Sequence, residues 1–88
     1  MTLNDIIFID NLVKLDLHGL DRETARVMIN DFIDEQKELR NEIFIIVHGI
    51  GSGVLKSATD TTLKSNKDVI DYKRFYYNDG CTLVHIKI

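Results

Sequence analysis

The stretch Val47-His48-Gly49-Ile50-Gly51-Ser52-Gly53 decides the fold, because it joins the clearest strand of the sequence to a helix. That strand is the apolar segment from Glu42 to Val47. Glycine allows positive φ and a close approach to the backbone, so three glycines at alternate positions can direct several N–H groups to one point. A helix that begins near Ser52 adds unpaired N–H groups and the positive end of its dipole. The stretch predicts a phosphate-binding loop, and a tight turn without a ligand is the alternative.

A second turn with the same character lies upstream, in Leu15-Asp16-Leu17-His18-Gly19. It follows a segment of alternating apolar and polar residues, 12–17, which is typical of a half-buried strand. An amphipathic helix over 21–39 comes next, with Asp21 as its N-cap. Ligands gather at the carboxyl ends of parallel strands, where loops lead into helices. We therefore expect Asp16, His18 and His48 to face one cleft.

The remaining elements complete an α/β order of β-α-β-α-β-β. A shorter helix begins at Gly53 and ends near Ser65 or Asn66, and strands are predicted at 69–77 and 81–88 around an Asn78-Asp79-Gly80 turn. Right-handed crossovers make the first three strands parallel, and the hairpin makes the last strand antiparallel to the third. Because the segment Glu42 to Val47 is apolar on both faces, we expect it to be a central strand.

Composition limits the class of protein. A chain of 88 residues with 44% hydrophobic and 28% charged residues forms one ordinary globular domain. No apolar segment reaches the roughly 20 residues that span a bilayer, so no membrane partner is expected. The single cysteine, Cys81, excludes an internal disulfide and a cysteine-based zinc site, which fits a reducing cytoplasm.

The charge distribution is uneven. The net charge is −3, which is the wrong sign for binding nucleic acid by bulk electrostatics. Residues 1–44 carry ten acids and five bases, however, whereas residues 45–88 carry four acids and six bases. The six bases of the second half either form one basic face or are scattered over the surface; they are Lys56, Lys64, Lys67, Lys73, Arg74 and Lys87.

Three motifs in order resemble the Smr domain, the small MutS-related domain. They are Leu15-Asp16-Leu17-His18-Gly19, the stretch from His48 to Lys56, and Gly80-Cys81-Thr82. The resemblance covers residues 12–88 and leaves 1–11 as an N-terminal extension. It implies a two-layer α/β sandwich with a four-stranded mixed sheet, similar to the C-terminal domain of bacterial translation initiation factor three. It also implies nucleic-acid binding, with nicking or endonuclease activity on DNA or RNA. The chain has no room for the MutS-related ATPase, so it looks like the stand-alone form.

The resemblance carries over residue by residue. Asp16 and His18 match the first motif, and Lys56 matches the basic residue that follows the second. The second motif is matched by His48, Gly49, Gly51 and Gly53. Two departures count against simple transfer. The family usually has a basic residue where this chain has Ile50, and it tends to carry a glycine-rich segment where only Gly80 remains.

These residues suit phosphodiester cleavage. Histidine titrates near neutral pH, so His18 and His48 can divide the base and acid roles. Candidate phosphate contacts come from the loop and from nearby bases: Gly49, Gly51, Ser52, Gly53, Lys56 and Arg74. Asp16 has two possible roles, either to orient a histidine or to bind Mg²⁺ or Mn²⁺ as the cofactor. Structural roles for these residues, in turns and at helix starts, are the alternative.

Two function classes follow. The first is an endonuclease that acts on DNA or RNA. The second is a non-catalytic module that holds nucleic acid in the same loop, on the ribosome or beside a repair protein. Asp16, His18 and His48 favour catalysis, because a binding module needs bases and N–H groups more than a carboxylate. The acidic first half and Ile50 favour weak or partner-assisted binding. A small molecule that carries a phosphate is a third, less favoured ligand.

Overall fold

The computed structural model describes residues 12–75 and 78–88. The predicted order β-α-β-α-β-β is confirmed, whereas the predicted N-terminal extension, 1–11, lies outside the described residues. The elements are β1 (Lys14–Asp16), α1 (Arg22–Glu38), β2 (Ile43–Val47), α2 (Val54–Ser65), β3 (Val69–Phe75) and β4 (Asn78–Ile86). Within the described ranges, neither helix is long and apolar enough to span a membrane.

The four strands form one mixed sheet in the order β1-β2-β4-β3. β1 is parallel to β2, and β4 is antiparallel to both β2 and β3. β1, β2 and β3 therefore point the same way, and β2 is an inner strand, as the sequence predicted. The position of β4 between β2 and β3 was not predicted. It places Thr82 opposite both Ile46 of β2 and Arg74 of β3.

Both helices pack on one face of this sheet. Ala25, Ile29 and Ile33 recur every four residues along α1 and are fully buried, as an amphipathic helix requires. α1 begins where the Asp21 side chain accepts a hydrogen bond from the Thr24 amide at 2.7 Å. Together with Leu63 of α2 these residues cover Phe44, Ile46 and Val84 of the sheet. The predicted two-layer sandwich is confirmed.

The opposite face of the sheet carries a second apolar cluster. Its buried members are Ile43, Ile45, Cys81 and Leu83, and none is more than 6% exposed. Burial raises the pKa of the Cys81 thiol, so this cysteine acts as a small hydrophobic side chain. β2 is thus buried on both faces, as its continuous apolar sequence predicted.

The predicted Asn78-Asp79-Gly80 turn is wrong. β4 begins at Asn78, which pairs with Phe75. The next pair is Arg74 with Thr82, so the register shifts between Phe75 and Arg74. Residues 79–81 of β4 therefore lie between these two pairs. Residue types that favour turns also occupy β-bulges, where an extra length of strand is accommodated. On the β2 side the register is regular, and the Gly80 carbonyl accepts hydrogen bonds from the amides of His48 and Gly49, which follow β2.

Candidate functional site

The turn after β1 is fixed to the end of β2. The Leu17 amide donates to the Val47 carbonyl at 2.8 Å, so both strands end at the same edge of the sheet. The Leu20 amide then donates to the Leu17 carbonyl at 3.1 Å, with Gly19 at φ +79° in the third position of the turn. A positive φ at this position favours glycine. The turn leaves His18 exposed, and the His18 amide donates to Asp16 Oδ1 at 2.9 Å.

The loop after β2 is open where a ligand would approach. Gly49 and Gly53 have φ of +80° and +86°, values that disfavour any side chain. A Cβ placed on Gly49, Gly51 or Gly53 would meet no other heavy atom within 4 Å. Gly53 caps α2 without a side-chain hydrogen bond. In the described parts of the chain, the amides of residues 51–56 have no acceptor.

The two turns line one cleft of about 680 Å³. Asp16 and His18 come from the first turn, the loop from His48 to Gly53 forms the floor, and Lys56 comes from the first turn of α2. Ile50 and Val54 are 68% and 45% exposed and form an apolar part of the wall. The shared cleft that the sequence predicted is therefore present, and it brings together every predicted site residue except Arg74.

His48 differs from His18 because it is buried. Its side chain and backbone are 4% exposed as a whole, and both ring nitrogens have partners. Nδ1 lies 3.0 Å from the Gly49 carbonyl oxygen, which can only accept, so Nδ1 carries the proton and donates. Nε2 lies 2.8 Å from Thr82 Oγ1 and accepts from that hydroxyl. Burial is the largest cause that lowers the pKa of His48, which keeps the ring neutral at neutral pH.

The loop at His48 is also anchored through its backbone. The amides of His48 and Gly49 donate to the Gly80 carbonyl at 2.8 and 3.0 Å. These two amides point into the sheet, so the free N–H groups of the loop begin after Gly49. Gly80 and Thr82 together hold His48 in place, and sequence reasoning missed this role because it depends on the pairing of β4 with β2.

Arg74 lies beside this site rather than in the cleft wall. Its terminal nitrogen donates to Asp60 Oδ2 of α2 at 2.8 Å. The positive charges of Arg74 and Lys56 lower the pKa of His48 further, after burial, and the negative charge of Asp60 raises it. The pair therefore contributes to the electrostatics of the buried ring. Asp60 was also missed, since a single acid on a helix gives no signal in the sequence.

The cleft offers few metal ligands. Among the described residues no group of three histidine, cysteine or acidic side chains could hold a metal ion. Of the described residues that line the cleft, Asp16 is the one acid, and its Oδ1 already accepts a hydrogen bond from the His18 amide. Mg²⁺ is often bound through one or two carboxylates, with water and substrate phosphates completing the shell. A metal that fits here would be held by Asp16 together with a bound phosphate.

Comparisons with known proteins agree with the fold and the motifs. The Smr domain family model matches residues 15–87. The chain is 35% identical over 73 residues to the endonuclease MutS2 of Clostridium acetobutylicum, covering 83% of this chain and 9% of that protein. It is 38% identical over 66 residues to the endonuclease MutS2 of Aquifex aeolicus, covering 75% of this chain and 9% of that protein. The chain thus spans about a tenth of the length of these relatives.

Solved structures show the same fold. The Smr domain of Thermus thermophilus MutS2 superposes with a TM-score of 0.84 at 24% identity, covering 88% of this chain and all of that domain. YdaL, a stand-alone small MutS-related protein from Escherichia coli, superposes with a TM-score of 0.80 at 19% identity. That match covers 96% of this chain and 79% of YdaL.

Proposed function

This chain belongs to the Smr domain family, and we propose that it binds nucleic acid in the cleft and hydrolyses a phosphodiester bond there. One observation carries the proposal: Asp16 and His18 share a cleft with a glycine loop that has open space beside its glycines and, within the described ranges, no acceptor for the amides of residues 51–56. Such a loop binds an anion, and the carboxylate and imidazole beside it are groups that move protons. A loop of this kind without a carboxylate or an imidazole beside it would support binding alone.

The phosphate is held by the backbone and by Lys56. The amides of residues 51–56 have no acceptor within the described ranges and lie at the N-terminus of α2, where the helix dipole favours an anion by about 0.3–2 kcal/mol. Lys56 supplies one full positive charge at the same place. Because these donors are fixed by the fold, they can also stabilise the negative charge on the non-bridging phosphoryl oxygens in the transition state.

His18 is the acid–base group in this proposal. It is exposed on the cleft wall, next to the place where the loop would hold a phosphate, so its ring can approach the attacking or the leaving oxygen. Asp16 fixes the backbone of the turn through its bond to the His18 amide. The same carboxylate would hold Mg²⁺ or Mn²⁺ with the phosphate, and a bound metal would lower the pKa of a water nucleophile.

His48 has a positioning role in this proposal. A general base needs a free nitrogen directed at the substrate, but both nitrogens of His48 are engaged, one by Gly49 and the other by Thr82. Its bond to the Gly49 carbonyl fixes the start of the loop. His48 therefore acts on the phosphate through the shape of the loop.

A non-catalytic binding module is the second candidate. It is favoured by Ile50, which exposes an apolar side chain at the phosphate site where the Smr domain usually has a base. It is also favoured by the burial of His48, which leaves one histidine free in the cleft. The module would use the same loop and Lys56, with a ribosome or a repair protein supplying further affinity.

A cleavage assay separates the two candidates. The purified protein is incubated with supercoiled plasmid and with structured RNA, with Mg²⁺ or Mn²⁺ and with chelator. Formation of nicked plasmid with the metal ion, but not with chelator, supports metal-assisted hydrolysis. RNA cleavage that survives chelator, stops on 2′-deoxy substitution and leaves a cyclic phosphate supports attack by the 2′-hydroxyl. Retarded mobility of the nucleic acid without any cleavage would overturn the enzyme and support the binding module.

A further inference from the structure

A depression of about 440 Å³ lies between α2 and β3, next to the cleft. Asp60, Thr61 and Lys64 line it from α2, and Tyr72, Lys73 and Arg74 line it from β3. Its polar groups are mainly donors, namely two ammoniums, a guanidinium and two hydroxyls. Asp60 is the one acid among these residues, and its carboxylate is already paired with Arg74.

Arg74 is incompletely paired in this depression. Its terminal nitrogen donates to Asp60 at 2.8 Å, but its buried Nε has no hydrogen-bond partner in the parts of the chain that the structure describes. A buried donor without an acceptor costs about 1–3 kcal/mol, so it calls for an explanation. A guanidinium forms its strongest contacts when two N–H groups bind one carboxylate or phosphate. A small rotation of the Arg74 guanidinium would give it such a contact with an anion in the depression.

The depression is aligned with the cleft along α2. Lys56, Asp60 and Lys64 are spaced four residues apart, so they lie in one row on the helix surface. At a rise of about 1.5 Å per residue, Lys64 lies about 12 Å along the helix from Lys56. A stacked strand rises about 3.4 Å per nucleotide along its own axis, and its phosphates lie farther apart than this because they wind around that axis, so the distance corresponds to about two to three nucleotides.

We propose that Lys64 and Arg74 form a second phosphate site, which takes the backbone of a single strand about two to three nucleotides from the phosphate held in the cleft. The proposal rests on the proposed function, because the first phosphate must sit on the glycine loop. Asp60 competes with the incoming phosphate for Arg74, so it weakens this site for isolated anions. A polynucleotide anchored in the cleft overcomes the competition, since its next phosphates are already at high local concentration.

The test measures affinity against length of strand. Fluorescent oligothymidylates and oligouridylates of three and eight nucleotides are titrated with the parent, Lys64→Glu, Asp60→Asn and Lys67→Glu. Lys64 and Lys67 are both exposed, but Lys67 does not line the depression. Lys67→Glu therefore changes the charge by the same amount outside the depression and is the matched control for Lys64→Glu. The parent is expected to bind the longer strand at least about tenfold more tightly. Lys64→Glu should remove most of this gain and leave the three-nucleotide affinity unchanged, whereas Lys67→Glu should alter neither by more than about twofold.

Asp60→Asn tests the competition from the opposite side. It should tighten binding of the eight-nucleotide strand about threefold, because Arg74 is released, and leave the shorter strand unaffected. Equal length dependence in Lys64→Glu and Lys67→Glu would overturn the second site alone, with binding in the cleft intact. Failure of the parent to bind strands of either length would overturn the second site together with the proposed function.

Discussion

The turns after β1 and β2 both place a histidine before a glycine at the carboxyl edge of the sheet, yet the two rings have opposite environments. His18 is exposed on the cleft wall, whereas His48 is 4% exposed and bonded through both nitrogens. The difference arises from β4, which pairs with β2 and brings Thr82 and Gly80 against the second turn. No described strand flanks β1 on its other side. The two turns therefore look alike in the sequence, but the sheet order leaves the first imidazole exposed and buries the second.

The largest expected effect is on catalysis at His18. If the domain is a nuclease, His18→Ala should lower the cleavage rate about 10²–10⁴-fold, as the loss of a general acid or base does. Affinity for an uncut analogue should change little, because the phosphate is held by amides and Lys56. Rates under single-turnover conditions and affinities from anisotropy are the measurements. A variant that cuts as fast as the parent would remove His18 from the mechanism, and Asp16→Asn tests the carboxylate in the same assay.

The next effect is on stability at His48. His48→Ala removes a buried ring and leaves the Thr82 hydroxyl and the Gly49 carbonyl without their partners, so it should lower the free energy of unfolding by about 2–4 kcal/mol. His18→Ala is the matched control, and a change at that exposed position should stay within about 0.5 kcal/mol. Chemical denaturation measures both. Equal stability of the two variants would contradict the division between the two turns.

Stability should also depend on pH through His48. Its folded pKa lies below the ordinary value because burial disfavours the imidazolium, so the unfolded chain takes up the proton first as the pH falls. Its contribution to stability is complete above about pH 6.5, the usual pKa of histidine, and is lost as the pH falls through the folded pKa. The melting temperature of the parent should therefore decrease between pH 7.5 and pH 5. The decrease should be smaller in His48→Gln, which has no group that titrates at this position.

Much of the architecture was readable in the sequence, and the exceptions share a cause. The alternation in β1, the helical spacing in α1 and the continuous apolar β2 each encode local structure and burial, so these elements were predicted within about two residues. The sheet order, the β4 irregularity at Gly80 and the ion pair of Arg74 with Asp60 depend on contacts between residues distant in the chain. A single sequence carries no record of those contacts. The burial of His48 follows from them, and so it too was not predicted.

A smaller effect separates two glycines of the loop. Gly53 has φ +86°, so Gly53→Ala should cost about 1–2 kcal/mol of stability through backbone strain alone, because its Cβ would touch nothing. Gly51 has no positive φ, and Gly51→Ala should leave stability unchanged. In Gly51→Ala, the added methyl group would project into the space assigned to a phosphate. It should weaken oligonucleotide binding roughly tenfold, as the loss of one charge-assisted hydrogen bond does. Unchanged affinity in Gly51→Ala would show that the phosphate lies elsewhere.

The smallest effect concerns Ile50, an exposed apolar residue of the turn after β2. Its side chain is 68% exposed beside the free amides, so Ile50→Lys should place an ammonium near the phosphate without disturbing the core. One additional phosphate contact should make the slope of log K against log salt more negative by about 0.7–0.9. The matched control is Leu39→Lys, since Leu39 is 66% exposed. Leu39 lies at the C-terminal end of α1. It is far from the cleft because the other end of α1, the N-terminus, lies at the edge of the sheet where the cleft is. Both variants raise the net charge by one, so a general electrostatic effect would steepen the two slopes equally and would argue against a phosphate beside Ile50. A steeper slope in Ile50→Lys alone would locate the phosphate at the second turn, where His48 is buried beneath the loop, and would leave His18 as the histidine that faces it.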